Sequence, residues 1–221
     1  MGARADAADH VVPGGPFLER RDGPLLVRKR SVSEMDNDVY VLADARTRTA
    51  LVVDAADDAP AVRAMLVDLR PVAVVQTHGH WDHVRAWADL RAAPGLPVWG
   101  HAGDVALYPA RPDRLLEDGE VLPIGDLAVE VLHVPGHTEG SLLFAVDGAA
   151  ATWLFTGDSL FPGGPGATGG DADRFARLMD GLEDRVFARF DDATRVLPGH
   201  GDGTTIGAER PHLAAWRARG W

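Results

Sequence analysis

Histidine and aspartate side chains, which commonly bind divalent metals in proteins, are concentrated in one short segment of this 221-residue chain. The segment reads THGHWDH, from Thr77 to His83. It follows an apolar run, Val72–Val75, that predicts a buried strand. The chain therefore places several potential metal ligands where a strand ends, and these are His78, His80, Asp82 and His83.

Three further potential ligands follow other apolar runs, and a glycine precedes each of them. They are His137 in VPGHTEGS, Asp158 in LFTGDSLF and His200 in VLPGHGDGT. Glycine lets the backbone turn sharply where a strand ends. Seven ligands are more than one tetrahedral zinc can use. The pattern therefore predicts two divalent ions, and a carboxylate such as Asp158 can bridge two ions because it has two oxygens.

Taken singly, each of these groups has an ordinary explanation. Asp82 fits a helix N-cap, Asp158 fits a turn, and His137 and His200 fit loops. The joint pattern favours metal binding, since five of the nine histidines lie in or after glycine-containing turns. The other four histidines lack that context. Of these, His101 is expected to cap or decorate a helix in HAGDVALY, His133 is expected to be structural within a strand, and the remaining two are His10 and His212.

The composition excludes several classes of function. The formal net charge of −11 disfavours nucleic acids and anionic membranes as partners. The chain has no cysteine, so disulfides, thiolate catalysis and thiolate metal sites are excluded. No apolar run is long enough to span a membrane, and the first residues lack a secretory signal. We therefore expect a cytoplasmic protein acting on a small molecule, with zinc, iron or manganese as its metal; the oligomeric state is left open.

The remaining pattern predicts a layered α/β arrangement in a single domain spanning residues 1–221, with residues 1–24 as a loose lead-in. A helix is expected to open at Pro60, with Asp57 or Asp58 as its cap, and to carry an apolar stripe from Val62 to Leu69 before Pro71 ends it. Further helices are expected from near His83, over 172–190 and from Pro211. Strands are expected at Leu25–Arg30, Val39–Ala43, Ala50–Asp54, Val72–Val75, Val98–Trp99, Leu127–Val134, Leu142–Val146, Trp153–Thr156 and Val196–Leu197.

The His-x-His-x-Asp-His run, followed in order by His137, Asp158 and His200, resembles the metallo-β-lactamase superfamily from about Asn37 onwards. The segments PGHTEGS, TGDSLF and LPGHGDGTT look most like its glyoxalase II (hydroxyacylglutathione hydrolase) branch. The resemblance implies an α/β (α+β) fold, in which two sheets and two layers of helices form a four-layer αββα sandwich. It also implies a dinuclear metal centre. In that centre His78, His80 and His137 would bind the first metal, Asp82, His83 and His200 the second, and Asp158 would bridge them.

The same resemblance implies metal-assisted hydrolysis of a carbonyl, with a thioester as substrate and with Asp82 and Asp158 as catalytic groups that fix the attacking hydroxide. Asp54 would be a structural aspartate of the family. Glutathione is in doubt, because glyoxalase II has an additional C-terminal helical domain and an Arg-Thr-Asp-like stretch soon after its Gly-Asp-x-Leu-Phe motif. The corresponding stretch here, PGGPGATGGDADRF, lacks that arginine, and Arg174 is its first cation. We expect the loop 162–170 to form one wall of the pocket.

Several other functions stay open or are disfavoured. One alternative is a persulfide dioxygenase-like enzyme with a single iron held by His78, His137 and Asp158. Another is a lactonase or other ester or amide hydrolase of the same superfamily. A nuclease of the tRNA-processing type is disfavoured by the negative charge. A non-catalytic binding module is disfavoured because all seven ligands are present.

Overall fold

Two β-sheets packed face to face form the middle of the molecule, in a computed structural model that describes residues 9–220. The first sheet is antiparallel from its first strand to its fourth and parallel from there on. Its strands lie in chain order, namely β1 Leu18–Asp22, β2 Leu25–Ser31, β3 Asp38–Asp44, β4 Thr49–Val53, β5 Arg70–Val75, β6 Val98–Gly100 and β7 Arg114–Leu115.

The second sheet has one parallel pair, β11 with β14, among antiparallel neighbours. Its strands, in spatial order, are β15 Thr204–Thr205, β14 Arg195–Pro198, β11 Thr152–Gly157, β10 Leu142–Asp147, β9 Leu127–His133 and β8 Val121–Ile124. A small separate hairpin pairs β12 Leu160–Phe161 with β13 Gly164–Pro165.

Helices cover the outer faces of both sheets. They are α1 Ala59–Met65, α2 Trp87–Ala92, α3 Ala172–Gly181, α4 Ile206–Glu209 and α5 Leu213–Arg219. Short 3₁₀ turns form at Trp81–His83, Ala102–Asp104 and Arg210–His212, and a π-helical turn forms at Leu182–Phe187. No helix in the described part of the chain is long and apolar enough to cross a membrane.

Three apolar clusters separate the four layers. Side chains such as Leu42 and Phe144, from opposite sheets, fill the space between the sheets. On one outside face α1 and α2 pack on the first sheet, and on the other α3 and α5 pack on the second. Each fully buried large apolar side chain stabilises the fold by about 1.5–3 kcal/mol. The predicted αββα sandwich is therefore confirmed.

The first predicted helix is confirmed at its start but ends early. Asp58 is the N-cap, and its side chain accepts a hydrogen bond from the amide of Ala61. The helix ends at Met65, and the predicted stripe member Leu69 lies in the turn beyond it, after Asp68 at a φ of 64°. A left-handed residue cannot continue an α-helix. Pro71 consequently lies within β5 rather than ending the helix.

The prediction of a second helix starting near His83 was wrong, because α2 begins at Trp87. The amides of Arg85 and Ala86 donate hydrogen bonds to the carbonyls of Ala56 and Ala55, respectively, in the loop before α1. Val84 has a φ of −128° and a ψ of 9°, outside the α-helical region, so an α-helix does not run through it. The preceding residues form a 3₁₀ turn instead.

Other predicted boundaries need correction. The lead-in 1–24 was wrong for 18–22, which form edge strand β1, while residues 1–8 of it lie outside the described residues. The helix 172–190 ends as an α-helix at Gly181 and continues as the π-helical turn, which keeps its apolar side buried. Pro211 lies in a 3₁₀ turn before α5, and HAGDVALY forms only the turn Ala102–Asp104.

Candidate metal centre

Four strands deliver the predicted ligands to one edge of the sandwich. The loop after β5 carries the HGHWDH residues, and β9, β11 and β14 end shortly before the remaining three ligands. The structure brings all seven predicted side chains together there, and these are His78, His80, Asp82, His83, His137, Asp158 and His200.

The first cluster of ligand atoms contains His78, His80 and His137. One nitrogen from each lies within 4.8 Å of the others. Nδ1 of His80 is 2.9 Å from Nε2 of His137. Nε2 of His78 is buried and has no hydrogen-bond partner among the described residues. An unpaired buried acceptor beside two other imidazoles fits a metal ion, because burial without a partner is costly.

The second cluster contains Asp82, His83 and His200. The two Nε2 atoms of its histidines are 3.1 Å apart. Oδ2 of Asp82 is 3.7 Å from Nε2 of His83 and 3.5 Å from Nε2 of His200. This mixture of imidazole and carboxylate suits zinc, iron or manganese.

Asp158 lies between the two clusters. Its Oδ2 is 3.6 Å from Nε2 of His137 and 3.5 Å from Nε2 of His200, so one oxygen faces both sets. Its Oδ1 is 3.5 Å from Nε2 of His83 and has no hydrogen-bond partner among the described residues. Burial raises the pKa of Asp158, but the surrounding histidines outweigh burial and hold it well below its usual range. A charged carboxylate in this position fits a bridge between two cations.

Asp54 supports this arrangement from below, at a φ of 65°. Its carboxylate accepts hydrogen bonds from the amide and the hydroxyl of Thr77, at 2.7 and 2.8 Å, and from Nδ1 of His83 at 3.0 Å. Because the Thr77 hydroxyl donates to Asp54, it can accept from Nδ1 of His78, 3.0 Å away. In its neutral form, each of these two histidines therefore turns an unprotonated Nε2 towards the centre.

Backbone carbonyls fix two more ligands in the same tautomer. Nδ1 of His137 donates to the carbonyl of Ala167, and Nδ1 of His200 donates to the carbonyl of Met35, both at 2.8 Å. The Ala167 contact puts part of the loop 162–170 directly against a ligand. Burial lowers the pKa of His78, His80 and His137, and the neutral imidazole is the form that binds metal.

Sequence reasoning missed two polar groups at the centre, Asn37 and Asp104. Nδ2 of Asn37 donates to Oδ2 of Asp82 at 3.0 Å, and Asn37 forms an isolated β-bridge with His200. Asp104 is fully buried beneath the loops of the first cluster. Asn37 has no glycine before it, and Asp104 follows Gly103 but lies in HAGDVALY, which the sequence predicted as a helix, so their contacts are what single them out.

Two of the four histidines predicted to lie outside the centre, His101 and His133, are in contact with each other. His101 caps its 3₁₀ turn by accepting from the amide of Gly103 at 3.1 Å, as predicted. Its ring stacks on that of His133 with centroids 4.0 Å apart. Nε2 of His133 donates to the carbonyl of Glu139 at 2.8 Å, and both rings have a structural explanation.

A cleft of about 340 Å³ opens beside His80 and runs past Leu107, Thr138, Glu139 and Arg174. Nε of Arg174 donates to the carbonyl of Gly136 at 2.9 Å, and its Nη2 donates to the carbonyl of His137. Next to His80 in sequence, Trp81 leaves 64% of its surface exposed. The centre is therefore open to a molecule of modest size.

The site lies in a segment that matches a known protein family. The family model described as the metallo-beta-lactamase superfamily matches residues 33–200, which include all seven predicted ligands. The chain belongs to the metallo-β-lactamase superfamily. Members of this superfamily bind divalent metals, which is consistent with the gathering of the predicted ligands at strand ends of the sandwich.

The chain is similar to one curated hydrolase and to two solved structures. A hydroxyacylglutathione hydrolase of Anaeromyxobacter dehalogenans is 41% identical over 167 residues, covering 75% of this chain and 61% of that protein. The crystal structure of ETHE1 from Myxococcus xanthus has a TM-score of 0.70 and 27% identity, covering 89% of this chain and 82% of that one. A crystal structure of TTHA1623 in a di-iron-bound form has a TM-score of 0.69 and 31% identity, covering 81% and 95%.

Proposed function

We propose that this chain is a metal-dependent hydrolase with a dinuclear centre and that its substrate is a small thioester. The observation that carries the proposal is the position of Asp158, whose oxygens face both ligand clusters. Two buried atoms, Nε2 of His78 and Oδ1 of Asp158, have no hydrogen-bond partner among the described residues. Metal ions would satisfy both of them. Zinc is the metal we propose, with iron or manganese as alternatives.

The first three ligands in this proposal are His78, His80 and His137, and the second three are Asp82, His83 and His200. When bound, the ions would supply Lewis acidity that lowers the pKa of a bound water towards neutrality and polarises a carbonyl. Asp82 and Asp158 accept hydrogen bonds from the attacking water and orient it. The chain has no cysteine, and the proposed reaction uses no side-chain nucleophile.

The cleft beside His80 receives the rest of the substrate. Leu107 contributes an apolar surface there, and Thr138 and Glu139 contribute polar groups. Among the described residues that line the cleft, Arg174 is the only arginine or lysine. Two of its nitrogens already donate hydrogen bonds to backbone carbonyls. We propose that a carboxylate-rich leaving group such as glutathione gains little binding energy here.

The thioester assignment draws on the likeness to the hydroxyacylglutathione hydrolase branch, through PGHTEGS, TGDSLF and LPGHGDGTT. This chain spans about three fifths of the length of that Anaeromyxobacter relative, so the relative's whole activity is not carried over. Each charge-assisted contact that glutathione lacks costs about 1.5–3 kcal/mol. Two missing contacts would raise KM by roughly a hundredfold or more.

A substrate panel tests the proposal. We would measure kcat/KM for S-lactoylglutathione, for a simple thioester without the peptide, for a lactone and for a β-lactam. The expected result is thioester hydrolysis with little advantage for the glutathione ester. A preference for that ester above about a hundredfold would show that other contacts bind the peptide, and turnover of the lactone alone would replace the thioester by a lactone as the substrate.

A second candidate function is a persulfide dioxygenase-like reaction with a single iron. The likeness to the ETHE1 structure supports keeping it, and His78, His137 and Asp158 would form its two-histidine, one-carboxylate set. Oxygen consumption with a persulfide substrate, together with one iron per chain, would favour this reaction. Thioester hydrolysis with two ions per chain would exclude it as the main activity.

A further inference from the structure

Asp104 holds three hydrogen-bond donors from two different loops on a single buried carboxylate. Its Oδ2 accepts from the amide of Gly79 at 2.8 Å and from the hydroxyl of Thr138 at 2.7 Å. Its Oδ1 accepts from the amide of Gly140 at 2.7 Å. The side chain is 0% exposed, so water does not replace any of these bonds.

The donors are neighbours of one ligand cluster only. Gly79 lies between His78 and His80, and Thr138 directly follows His137. The two loops that Asp104 joins therefore carry every member of the first cluster. The second cluster is supported elsewhere, by Asp54 on His83 and by Asn37 on Asp82.

The packing around this carboxylate leaves little room for another arrangement. A Cβ built at Gly140 would lie 2.7 Å from Cγ of Asp104. A Cβ built at Gly79 would lie 2.7 Å from Cβ of Leu107 and 3.2 Å from Cβ of Asp104. Both glycines allow the backbone to come close enough to donate. The loops are thus held at a fixed spacing by the carboxylate and its glycine neighbours.

We propose that Asp104 is a positioning residue for the first metal. It sets the distance between the His78–His80 loop and the His137 loop, so that three imidazole nitrogens meet at one point. The affinity of the first cluster for metal depends on Asp104, and the affinity of the second does not. This inference rests on the proposed metal centre and is independent of the substrate.

The chain offers a closely matched control at Asp44, the last residue of β3. Asp44 is also fully buried and also accepts from two amides and one threonine hydroxyl. The donors are the amides of Arg46 at 2.8 Å and Asp126 at 2.7 Å and the hydroxyl of Thr47 at 2.9 Å. Asp44 lies at the opposite end of the sheets from the ligands. Replacing its carboxylate therefore measures the loss of stability alone, without an effect on the loops that carry the ligands.

The variants are Asp104→Asn and Asp44→Asn. An amide accepts at one atom only, and its NH₂ group would face a backbone N–H in either orientation. Both variants should therefore lower the melting temperature of the metal-free protein to a similar extent. Thr138→Val and Thr47→Val remove one donor each and form a milder pair that tests the same point if an asparagine variant fails to fold.

Two background variants separate the clusters. His200→Ala leaves the first cluster complete, and His80→Ala leaves the second complete. Co²⁺ is titrated into each background and followed by its visible absorption, with cobalt content measured after gel filtration. We expect Asp104→Asn to weaken binding roughly 10- to 100-fold in the His200→Ala background, as other supporting residues of metal ligands do. In the His80→Ala background it should leave binding unchanged, and Asp44→Asn should leave both unchanged.

The results separate this inference from the proposed function. Equal Co²⁺ affinity with and without Asp104→Asn in the His200→Ala background would overturn the role of Asp104, while the metal centre stands. An equal loss in both backgrounds, or the same loss from Asp44→Asn, would show a structural role only and would also overturn it. A His200→Ala parent that binds no Co²⁺ would overturn the first metal site and the inference with it.

Discussion

The carboxylate of Asp22, at the end of the edge strand of the first sheet, accepts a 3.0 Å hydrogen bond from the indole of Trp153 in the second sheet. The same carboxylate accepts from the amides of Ala150 and Ala151, at 2.8 and 3.3 Å. Burial raises the pKa of Asp22, but these hydrogen bonds outweigh burial, so its pKa lies below the ordinary range. One charged group thus joins the two sheets at the end away from the metal ligands.

Replacement of Asp22 by asparagine should destabilise the metal-free protein in a pH-dependent way. A lowered folded pKa stabilises the protein above the unfolded value of about 3.9, and this stabilisation is lost as the pH falls through the folded pKa. We expect Asp22→Asn to lower the free energy of unfolding by about 1–3 kcal/mol at neutral pH. The difference should shrink towards zero in acid.

Urea denaturation in the presence of a chelator, over a series of pH values, measures this difference. Asp147→Asn is the control, because Asp147 is exposed and accepts a single side-chain bond, from Thr152. That surface change should alter the free energy of unfolding by less than about 0.5 kcal/mol. A constant difference between wild type and Asp22→Asn at every pH would contradict the role of the charge.

Asp158→Ala should abolish both metal retention and hydrolysis, because it removes a carboxylate whose oxygens face both ligand clusters. His133→Ala is the matched control, since His133 is a nearby histidine whose ring contacts His101 and the carbonyl of Glu139 but no ligand. It should keep both properties and lose about 1 kcal/mol of stability at most. Elemental analysis and thioester turnover of both variants decide the point. Retained activity in Asp158→Ala would refute the assignment.

The purified protein should hold close to two metal ions per chain under metal-replete conditions. Removal of the ions by a chelator should lower the melting temperature, because a ligand that binds only the folded state stabilises it by mass action. Restoring zinc, iron or manganese separately should raise it again and identify the preferred metal. A stoichiometry of one ion would count against the dinuclear centre and would favour the mononuclear alternative.

Asp171→Ala should destabilise the fold by about 1 kcal/mol without affecting metal content. The Asp171 side chain is the N-cap of α3 and accepts from the amides of Asp173 and Arg174, at 2.9 and 3.0 Å. Asp173→Ala, in the same turn but without a capping bond, is the comparison and should cost less. Thermal unfolding of the two variants measures the difference, and equal melting temperatures would show that the cap contributes nothing.

The buried strands, and the meeting of the seven predicted ligand side chains at one edge, could be predicted from the sequence because both depend on local patterns. Runs such as Leu142–Val146 are apolar on both faces, and glycine directly before His137 and His200 indicates a turn at the end of a strand. Local pattern could not find β1, because LERRD is a polar edge strand whose pairing with β2 decides its conformation.

Longer-range hydrogen bonds account for the other differences. The residues just before α2 are held by the bonds that Arg85 and Ala86 make to the loop before α1. The position of Asp104 beneath Gly79 and Gly140 joins segments far apart in the chain, and no spacing rule connects them. Such features depend on contacts between segments distant in sequence, and the spacing of apolar residues along the chain does not reveal those contacts.

The exposure of Trp81 makes this indole a natural optical reporter of the centre. It lies between His80 and Asp82, one from each ligand cluster, whereas Trp87, Trp153 and Trp216 are at most 4% exposed. An indole in contact with water emits at longer wavelength than buried ones, and a paramagnetic ion quenches emission at short range. Loading with Co²⁺ should therefore quench the red edge of the fluorescence preferentially, and Trp81→Phe should remove that component while leaving the blue edge.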